Sequence, residues 1–415
     1  MTEPKPRATY GARAVAGLTG QLPNPYPRLL GSNALRYLQE VVESGLTVDM
    51  LTRFEQAFAE ATGAKHCIAT PGCTPALAAL AAAFGFEPGD EIIVSPITDY
   101  GTLQGLVREQ YIPVFADPEP GSVNLSARTI EPLLTDRTRG ILCVHMTGLM
   151  CDMDPILELA QSRGLVVYED ACQSVFSTYR GRYAGRLGLA GAFSFDSEKT
   201  MGSDVGGCVI TDDDALAERL RFIAHSRGAV QEPGFGRFHT EPGYALRMPQ
   251  CTAALCLAQL EMIAEWVAHR DRMARKITAL LSEIEGITPL PIPDYQEVYS
   301  AWMLGFSLDP EAFSCDAEAF GAQVSEAGLT GAGTGKYYLI PAACTFLGEW
   351  AEAGRYPYSQ PPASRTYRYG AEACPTAWEF LQTFIRWSTF CEKYTEADCE
   401  LAAQIVADVA ARNRR

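Results

Sequence analysis

The chain has 415 residues, of which 47% are hydrophobic and 20% charged, and its formal net charge is −16. This length and composition predict a globular protein with a full core and two domains. The acidic balance argues against nucleic acid or an anionic membrane surface as a partner. The thirteen cysteines are scattered without CxxC spacing and the five histidines show no ligand spacing, so we expect reduced thiols and no metal site.

No apolar run in the sequence reaches the length that a membrane-spanning helix needs. The first twenty residues, MTEPKPRATYGARAVAGLTG, lack the apolar centre of a signal peptide. We therefore expect a cytoplasmic protein.

The chain starts with a Pro/Gly-rich stretch, residues 1–27, which we interpret as an extended arm. Helical patterns follow at 34–44 and 49–62, and then short β-rich runs alternate with helical runs at 75–84, 155–163 and 215–225. The β-rich runs are EIIVSP, IPVFAD, GILCVHM, GLVVYED, GAFSFD and GCVITDD. This alternation predicts an α/β fold: a large domain, residues 28–260, with a mostly parallel central sheet covered by helices.

A long helical pattern at 252–285 leads out of the large domain. Beyond it, short strands mix with helices at 315–327 and 395–412, and a Pro/Tyr-rich loop at 356–370 interrupts them. We expect a smaller C-terminal α+β domain, residues 261–415. No internal repeat is present.

Two neighbouring segments carry the chemistry. GLVVYEDACQ ends a strand with Asp170, and FSFDSEK places Ser194 and Lys199 around a Ser/Gly-rich loop one strand later. Pyridoxal phosphate (PLP) needs a lysine to condense with its aldehyde, an acid to keep its ring nitrogen protonated and a hydroxyl for its phosphate. Taken alone, the acid could cap a helix and the lysine could be solvated, but their order and spacing favour a PLP site.

GCTPAL, residues 72–77, looks like a glycine turn that opens a helix, with Pro75 in the first turn. Helix N-termini expose free N–H groups and the positive end of the dipole, which suit a phosphate. A capped helix without a ligand would explain this segment equally well.

These segments, with GDEIIVSPITDYGT, CDMDPI and GYALRM, resemble the DegT/DnrJ/EryC1/StrS aminotransferases, from about Pro25 to the end of the chain. The EDACQ and FSF…K…GG pair is the specific part of the resemblance. It implies the fold-type I PLP scaffold and a homodimer with shared active sites. It also implies that Lys199 is the catalytic lysine. Some members of the family carry histidine at the matching position and catalyse dehydration, so a lysine at this position favours amino transfer.

The resemblance implies further cofactor contacts. Asp170 would pair with the ring nitrogen, Gln173 would contact the ring hydroxyl, and the N–H groups of Cys73 and Thr74 would bind the phosphate with Ser194. Glu169, on the other face of the strand, would be structural.

Two positions depart from the family pattern. The aromatic residue that stacks on the ring is replaced by Asp99, followed by Tyr100, and we assign the stacking role to Tyr100. The asparagine that reaches the neighbouring subunit's phosphate is replaced by Ala245, while Arg247 is retained and could make that contact. We also expect the dimer to cover an apolar surface around Met248 and Leu255.

The sequence thus predicts a PLP-dependent aminotransferase that moves an amino group from glutamine or glutamate to a keto-sugar or keto-cyclitol, in specialised metabolism of the aminoglycoside or amino-sugar type. One alternative is a PLP-dependent lyase, dehydratase or other non-transaminating enzyme on the same scaffold. A second is an inactive sensor or scaffold protein. The identity of the ketone cannot be inferred from the residues.

Overall fold

The computed structural model describes residues 22–415. Most of the predicted arm, residues 1–21, lies outside the described residues. The part that is described is held by the C-terminal half of the chain, since Lys393 Nζ donates hydrogen bonds to the carbonyls of Asn24 (3.0 Å) and Pro27 (2.6 Å).

The strands formed by residues 22–415 belong to four sheets. In chain order they are β1 (His66–Thr70), β2 (Glu91–Val94), β3 (Ile112–Phe115), β4 (Thr138–Val144), β5 (Val166–Asp170), β6 (Thr178–Tyr179), β7 (Arg182–Tyr183), β8 (Ala190–Ser194), β9 (Gly207–Thr211), β10 (Ala229–Glu232), β11 (Gly236–His239), β12 (Ile287–Pro289), β13 (Gln296–Val298), β14 (Leu304–Leu308), β15 (Ala332–Thr334) and β16 (Phe384–Trp387).

Helices pack against both the large and the small sheet. They are α1 (Ala34–Glu43), α2 (Met50–Thr62), α3 (Cys73–Phe84), α4 (Gly101–Arg108), α5 (Ala127–Ile130), α6 (Met153–Arg163), α7 (Asp214–Leu220), α8 (Gln250–Ser282), α9 (Ala317–Glu326), α10 (Ile340–Ala343), α11 (Thr345–Glu352), α12 (Pro375–Thr383) and α13 (Glu396–Asn413).

The large sheet has seven strands in the order β1-β9-β8-β5-β4-β2-β3. Strand β9 is antiparallel to both of its neighbours, and the other pairs are parallel. Every residue of β2, β3, β8 and β9 is buried, as expected for a sheet covered on both faces. The predicted mostly parallel α/β sheet is confirmed, and all six β-rich runs form strands in it.

Two candidate site segments meet where β1 and β8 end and β9 begins. Thr70 at the end of β1 and Ser194 at the end of β8 both pair with Gly207 at the start of β9. A Cβ on Gly207 would lie 2.5 Å from the backbone nitrogen of Cys73, so only glycine lets the start of α3 lie against the strand. The N-terminus of α3 therefore sits beside the ends of β1 and β8.

The C-terminal part of the chain forms a second sheet, antiparallel, in the order β12-β14-β16-β15. Helices α9 and α12 pack on it, and α13 packs on α8 and α9. The 356–370 loop contains no helix or strand. Helix α8 crosses residue 260 without a break, so the exact division at 260/261 stays a prediction.

Helix α8 bears on the expectation that no apolar run is long enough to span a membrane. Among the helices of the described region, it alone is long and apolar enough to cross a membrane by length and composition. Half of its most apolar stretch is buried, and it packs on α1, α2 and α13. Interior helices of water-soluble folds commonly pass the same test, so the length of α8 is weak support for a membrane span.

Glu169 is a structural residue at the centre of the sheet, as the alternation along β5 predicts. Its fully buried carboxylate accepts hydrogen bonds from the backbone N–H groups of Gly185, Leu187 and Gly188 at 2.7–2.8 Å. It also contacts His145 Nε2 at 2.9 Å. Burial opposes the charged imidazole, but hydrogen bonds to Cys151 and Glu169 raise the pKa of His145 to about 10.

We expect Glu169→Ala to lower the free energy of unfolding by about 3–5 kcal/mol, because it leaves the buried His145 ring and three backbone N–H groups without an acceptor. Chemical denaturation measures this loss. The exposed Glu60 is the matched control, and Glu60→Ala should change stability by less than about 0.5 kcal/mol. Equal effects of the two substitutions would contradict a structural role for Glu169.

Candidate active site

Asp170 is the last residue of β5 and is 2% exposed. Its Oδ2 accepts a hydrogen bond from the Thr102 hydroxyl at 2.7 Å, and its Oδ1 accepts one from the Cys172 backbone N–H at 3.2 Å. The Thr98 hydroxyl lies 2.6 Å from that of Thr102. Since Thr102 gives its only proton to Asp170, Thr98 must donate to Thr102. This chain of hydroxyls fixes the orientation of the carboxylate.

Lys199 lies in the loop between β8 and β9 and is half-buried. Nζ is 3.9 Å from Cys172 Sγ and 3.9 Å from the centroid of the Trp302 ring. Burial alone would lower the pKa of this amine, but electrostatic interactions with Cys172, Asp170, Cys73 and Asp196 outweigh it and raise the pKa. The structure therefore brings Lys199, Asp170 and Cys73 into one electrostatic cluster.

The backbone of the Lys199 loop is held by two residues that the sequence analysis did not single out. The Arg28 guanidinium donates to the carbonyls of Ser197 (3.0 Å), Lys199 (2.6 Å) and Thr200 (3.1 Å). The Tyr26 hydroxyl donates to the Ser197 carbonyl at 3.0 Å. Nothing in the sequence pattern signals these contacts, because the partners are about 170 positions apart.

Helix α3 begins at Cys73 and has Gly72 at its N-cap. The first-turn N–H groups, including those of Cys73 and Thr74, have no acceptor within the helix. The hydroxyl of Thr74 also lies close to Gly101, where a Cβ would approach it to 2.5 Å, so the N-termini of α3 and α4 meet. Ser194 is one strand away on the same edge and is 8% exposed. This edge offers free N–H groups and a hydroxyl, which is what a phosphate needs.

Gln173 is 4% exposed, and its side-chain oxygen accepts a hydrogen bond from the Thr147 N–H at 2.5 Å. Any contact from Gln173 to a cofactor oxygen would therefore come from its NH₂ group. Such a contact stays a prediction.

The candidates for ring stacking differ in their surroundings. Asp99 is exposed, and its carboxylate accepts from the Gly101 N–H at 2.9 Å at the start of α4, so it serves as a local cap. Tyr100 is half-buried and packs edge-on against Phe346 of α11, with ring centroids 5.8 Å apart. A stacking role for Tyr100 stays a prediction.

Arg247 does not join the cluster around Lys199. Both Ala245 and Arg247 are exposed. Burial, with the charges of Arg221 and Arg247, lowers the pKa of His225, which bonds the Ala69 carbonyl at 2.9 Å. Arg247 thus lies on the surface, near enough to His225 to affect its pKa.

A cluster of sulfur and oxygen atoms surrounds Asp170. The two thiol sulfurs of Cys73 and Cys172 and a carboxylate oxygen of Asp170 lie within 4.8 Å of one another, and Cys73 Sγ is 3.8 Å from Asp170 Oδ1. The hydrogen bond to Cys172, burial and the charge of Asp170 hold the pKa of the Cys73 thiol well above its ordinary value. Sequence spacing could not reveal this cluster, since residues 73 and 170 are far apart in the chain.

The geometry of these residues fits PLP. A fixed, buried carboxylate lies near a desolvated lysine amine, and free helix N–H groups lie at the same edge of the sheet. These three features match the ring nitrogen, the aldehyde and the phosphate of that cofactor. With the strand order of the seven-stranded sheet, they define a PLP-dependent aminotransferase of fold type I.

Comparison with known proteins agrees. The model of the DegT/DnrJ/EryC1/StrS aminotransferase family matches residues 29–376, and the chain belongs to this family. It is 34% identical over 295 residues to the spore coat polysaccharide biosynthesis protein SpsC of Bacillus subtilis, covering 68% of this chain and 75% of that protein.

Two further proteins are similar to this chain. A GDP-perosamine synthase of Caulobacter vibrioides is 38% identical over 250 residues, which is 60% of this chain and 66% of that protein. The crystal structure of 3-amino-5-hydroxybenzoic acid (AHBA) synthase superposes with a TM-score of 0.82 at 24% identity. That superposition covers 95% of this chain and 99% of the synthase, and it supports the fold.

Thr102 provides a test of the carboxylate's environment. Thr102→Val removes a hydrogen bond to a charged acceptor, which is worth about 1.5–3 kcal/mol. We expect PLP affinity to fall about tenfold to a hundredfold, measured by absorbance titration of the cofactor-free protein. Thr102→Ser keeps the hydroxyl and should bind like the wild type. Identical affinities of the valine and serine variants would show that this hydrogen bond has no part in cofactor binding.

Proposed function

We propose that this aminotransferase moves an amino group from glutamate or glutamine to a keto-sugar or keto-cyclitol. The observation that carries the proposal is the half-buried Lys199, whose amine interacts electrostatically with the fixed carboxylate of Asp170. The names of the relatives, a polysaccharide biosynthesis protein and a GDP-perosamine synthase, support a sugar as acceptor. We extend the proposal to biosynthesis of an amino-sugar product.

In this proposal Lys199 is the catalytic base and acid. When bound, the cofactor supplies an electron sink that stabilises negative charge at the substrate carbon. Lys199 removes a proton from that carbon and returns it at the neighbouring position. Asp170 holds the ring nitrogen protonated, while the N–H groups of Cys73 and Thr74 and the hydroxyl of Ser194 bind the phosphate.

The charges around Lys199 affect the pKa of its amine and therefore its ability to act as a base. Asp170 is among the groups that raise the pKa of the amine. A cationic ring nitrogen at Asp170 would neutralise part of that charge and lower the pKa of Lys199 towards the neutral form that a base requires. The same carboxylate would thus orient the ring and adjust the lysine.

The function is tested by mixing the PLP-loaded protein with L-glutamate or L-glutamine and measuring the 2-oxo acid formed. A panel of keto-acceptors, with GDP-linked and other nucleotide-linked keto-sugars and free keto-cyclitols, is then scored for new amines by mass spectrometry. An amine on a sugar or cyclitol supports the proposal. Elimination products with no amine gain would instead indicate the lyase or dehydratase alternative.

Lys199→Ala should reduce turnover by several orders of magnitude, because it removes the base that moves the proton in this proposal. In the wild type, borohydride should attach the cofactor to Lys199, and peptide mapping locates it. The exposed Lys65 provides the control, and Lys65→Ala should keep full turnover. A label on another lysine would overturn the assignment.

We further propose that the enzyme is a homodimer whose sites are completed by the partner subunit. The β10–β11 hairpin is exposed except for the half-buried Ala229, and it carries Phe235 (72% exposed) and Phe238 (47%). Helix α1 exposes Leu35 (82%) and Val42 (72%). Exposed apolar surface of this kind favours a covering partner. The expectation of an exposed apolar surface around Met248 and Leu255 is wrong for Met248, which is 3% exposed and belongs to the core of its own subunit, whereas Leu255 is half-buried.

Subunit exchange tests the role of exposed Arg247. Lys199→Ala and Arg247→Ala subunits should each be inactive alone. If Arg247 serves the partner's site, mixing them should restore activity, because one of the two sites in the hybrid has both residues. Light scattering confirms the dimer, and tagged subunits confirm exchange. No recovery after verified exchange would mean that Arg247 does not act across the interface.

A further inference from the structure

The geometry points to a binding site for a soft divalent cation such as Zn²⁺ in the cofactor-free protein. We propose that Cys73, Asp170 and Cys172 ligate this cation, and that the cation and PLP compete for Asp170. This site is distinct in chemistry from the aminotransferase reaction, although it uses the same carboxylate.

The positions of the donor atoms suit a tetrahedral ion. With Zn–S bonds near 2.3 Å and Zn–O bonds near 2.0 Å, neighbouring ligand atoms are about 3.5–3.8 Å apart. Here Cys73 Sγ is 3.8 Å from Asp170 Oδ1, and all three donor atoms lie within 4.8 Å of one another. Shifts of about 1 Å or less would therefore complete three ligand bonds.

The backbone holds these three residues firmly. Cys73 is the first residue of the twelve-residue helix α3. Cys172 follows Asp170 by two residues, and its N–H bonds Asp170 Oδ1 at 3.2 Å. The Thr102 hydroxyl bonds the other oxygen. This leaves Oδ1 as the oxygen that lies 3.8 Å from the Cys73 thiol, and Thr102 takes the supporting position that metal-bound carboxylates usually have.

Charge and softness select the kind of ion. Two thiolates and a carboxylate carry three negative charges, which a divalent cation and the nearby Lys199 ammonium balance. Thiolates favour zinc or cobalt over magnesium or calcium. On binding, the cation replaces the two thiol protons, which pass to solvent. Water would fill the fourth position.

Competition with PLP follows from the shared atoms. The carboxylate that would pair with the ring nitrogen is the oxygen ligand of the cation. Cys172 Sγ is also 3.9 Å from Lys199 Nζ, so an ion at Cys172 would crowd the amine that the cofactor must reach.

Co²⁺ is the probe for the test, because tetrahedral cobalt–thiolate sites absorb light and thereby report their ligands. Titration of the cofactor-free wild type should give thiolate charge-transfer bands at one equivalent, and Zn²⁺ should abolish them. Cys172→Ala and, independently, Cys73→Ser should lower the affinity by more than about 100-fold. Cys251→Ala, which removes an exposed cysteine, is the matched control and should bind like the wild type.

A second arm uses protein in which borohydride has fixed PLP covalently, and this protein should give no cobalt bands. The proposal is overturned if the wild type shows no thiolate bands, if both cluster variants keep them, or if the bands persist beside the fixed cofactor. Should one variant fail to fold, the wild-type titration and the other variant still decide. Because the metal readout needs no turnover, its failure is separate from a failure of the proposed amino transfer.

Discussion

The buried carboxylate of Asp170 is the constraint on which the rest of the site depends. An ionised carboxylate taken out of water costs several kcal/mol unless hydrogen bonds and opposite charge replace its hydration. Here the Thr102 hydroxyl, the Cys172 N–H and the charge of Lys199 supply that replacement. Thr102 is in turn bonded by Thr98. The residues around Asp170 are therefore fixed by its charge as much as by packing.

This constraint ties the C-terminal part of the chain to the large sheet. The Thr98 N–H donates to the Tyr338 carbonyl at 3.0 Å, and Ile97 pairs with Leu339. Trp302, just before β14, lies over the Lys199 amine, and its indole N–H donates to the Glu198 carbonyl at 2.9 Å. Both groups that matter most for chemistry, Asp170 and Lys199, are thus supported from the second half of the chain. A displacement of that half would change the environment of both at once.

The sequence predicted those features that depend on local patterns. The alternating apolar runs predicted six strands of the large sheet, including β5, which ends at Asp170, and β8, which ends at Ser194. The helices predicted at 49–62, 155–163 and 395–412 lie within a few residues of α2, α6 and α13. Strand β1 was missed because HCIAT is short and follows a helix directly. Helix α4 was missed because its start, TDYGT, resembles a turn.

What the sequence could not predict is the set of contacts between distant residues. The clamp of Arg28 on the Lys199 loop, the indole of Trp302 and the Thr102 hydroxyl each join positions 68 or more apart in the chain. The thiol cluster is similar, since Cys73 meets Asp170 only because Gly207 lets α3 lie against the sheet. Periodicity describes which face of an element is buried, but it carries no information about which elements meet.

The hydrogen bonds from Arg28 to the Lys199 loop involve a charged donor. Burial lowers the pKa of Arg28, opposed by the charge of Glu392, yet an arginine remains charged in proteins. Its guanidinium donates to three loop carbonyls, and hydrogen bonds from a charged donor are stronger than neutral ones. Thr200 and Met201 of this loop are buried, but Ser197 and Lys199 are only half-buried and Glu198 is exposed. The arginine therefore supplies from outside the loop the rigidity that proton transfer at a defined carbon atom requires.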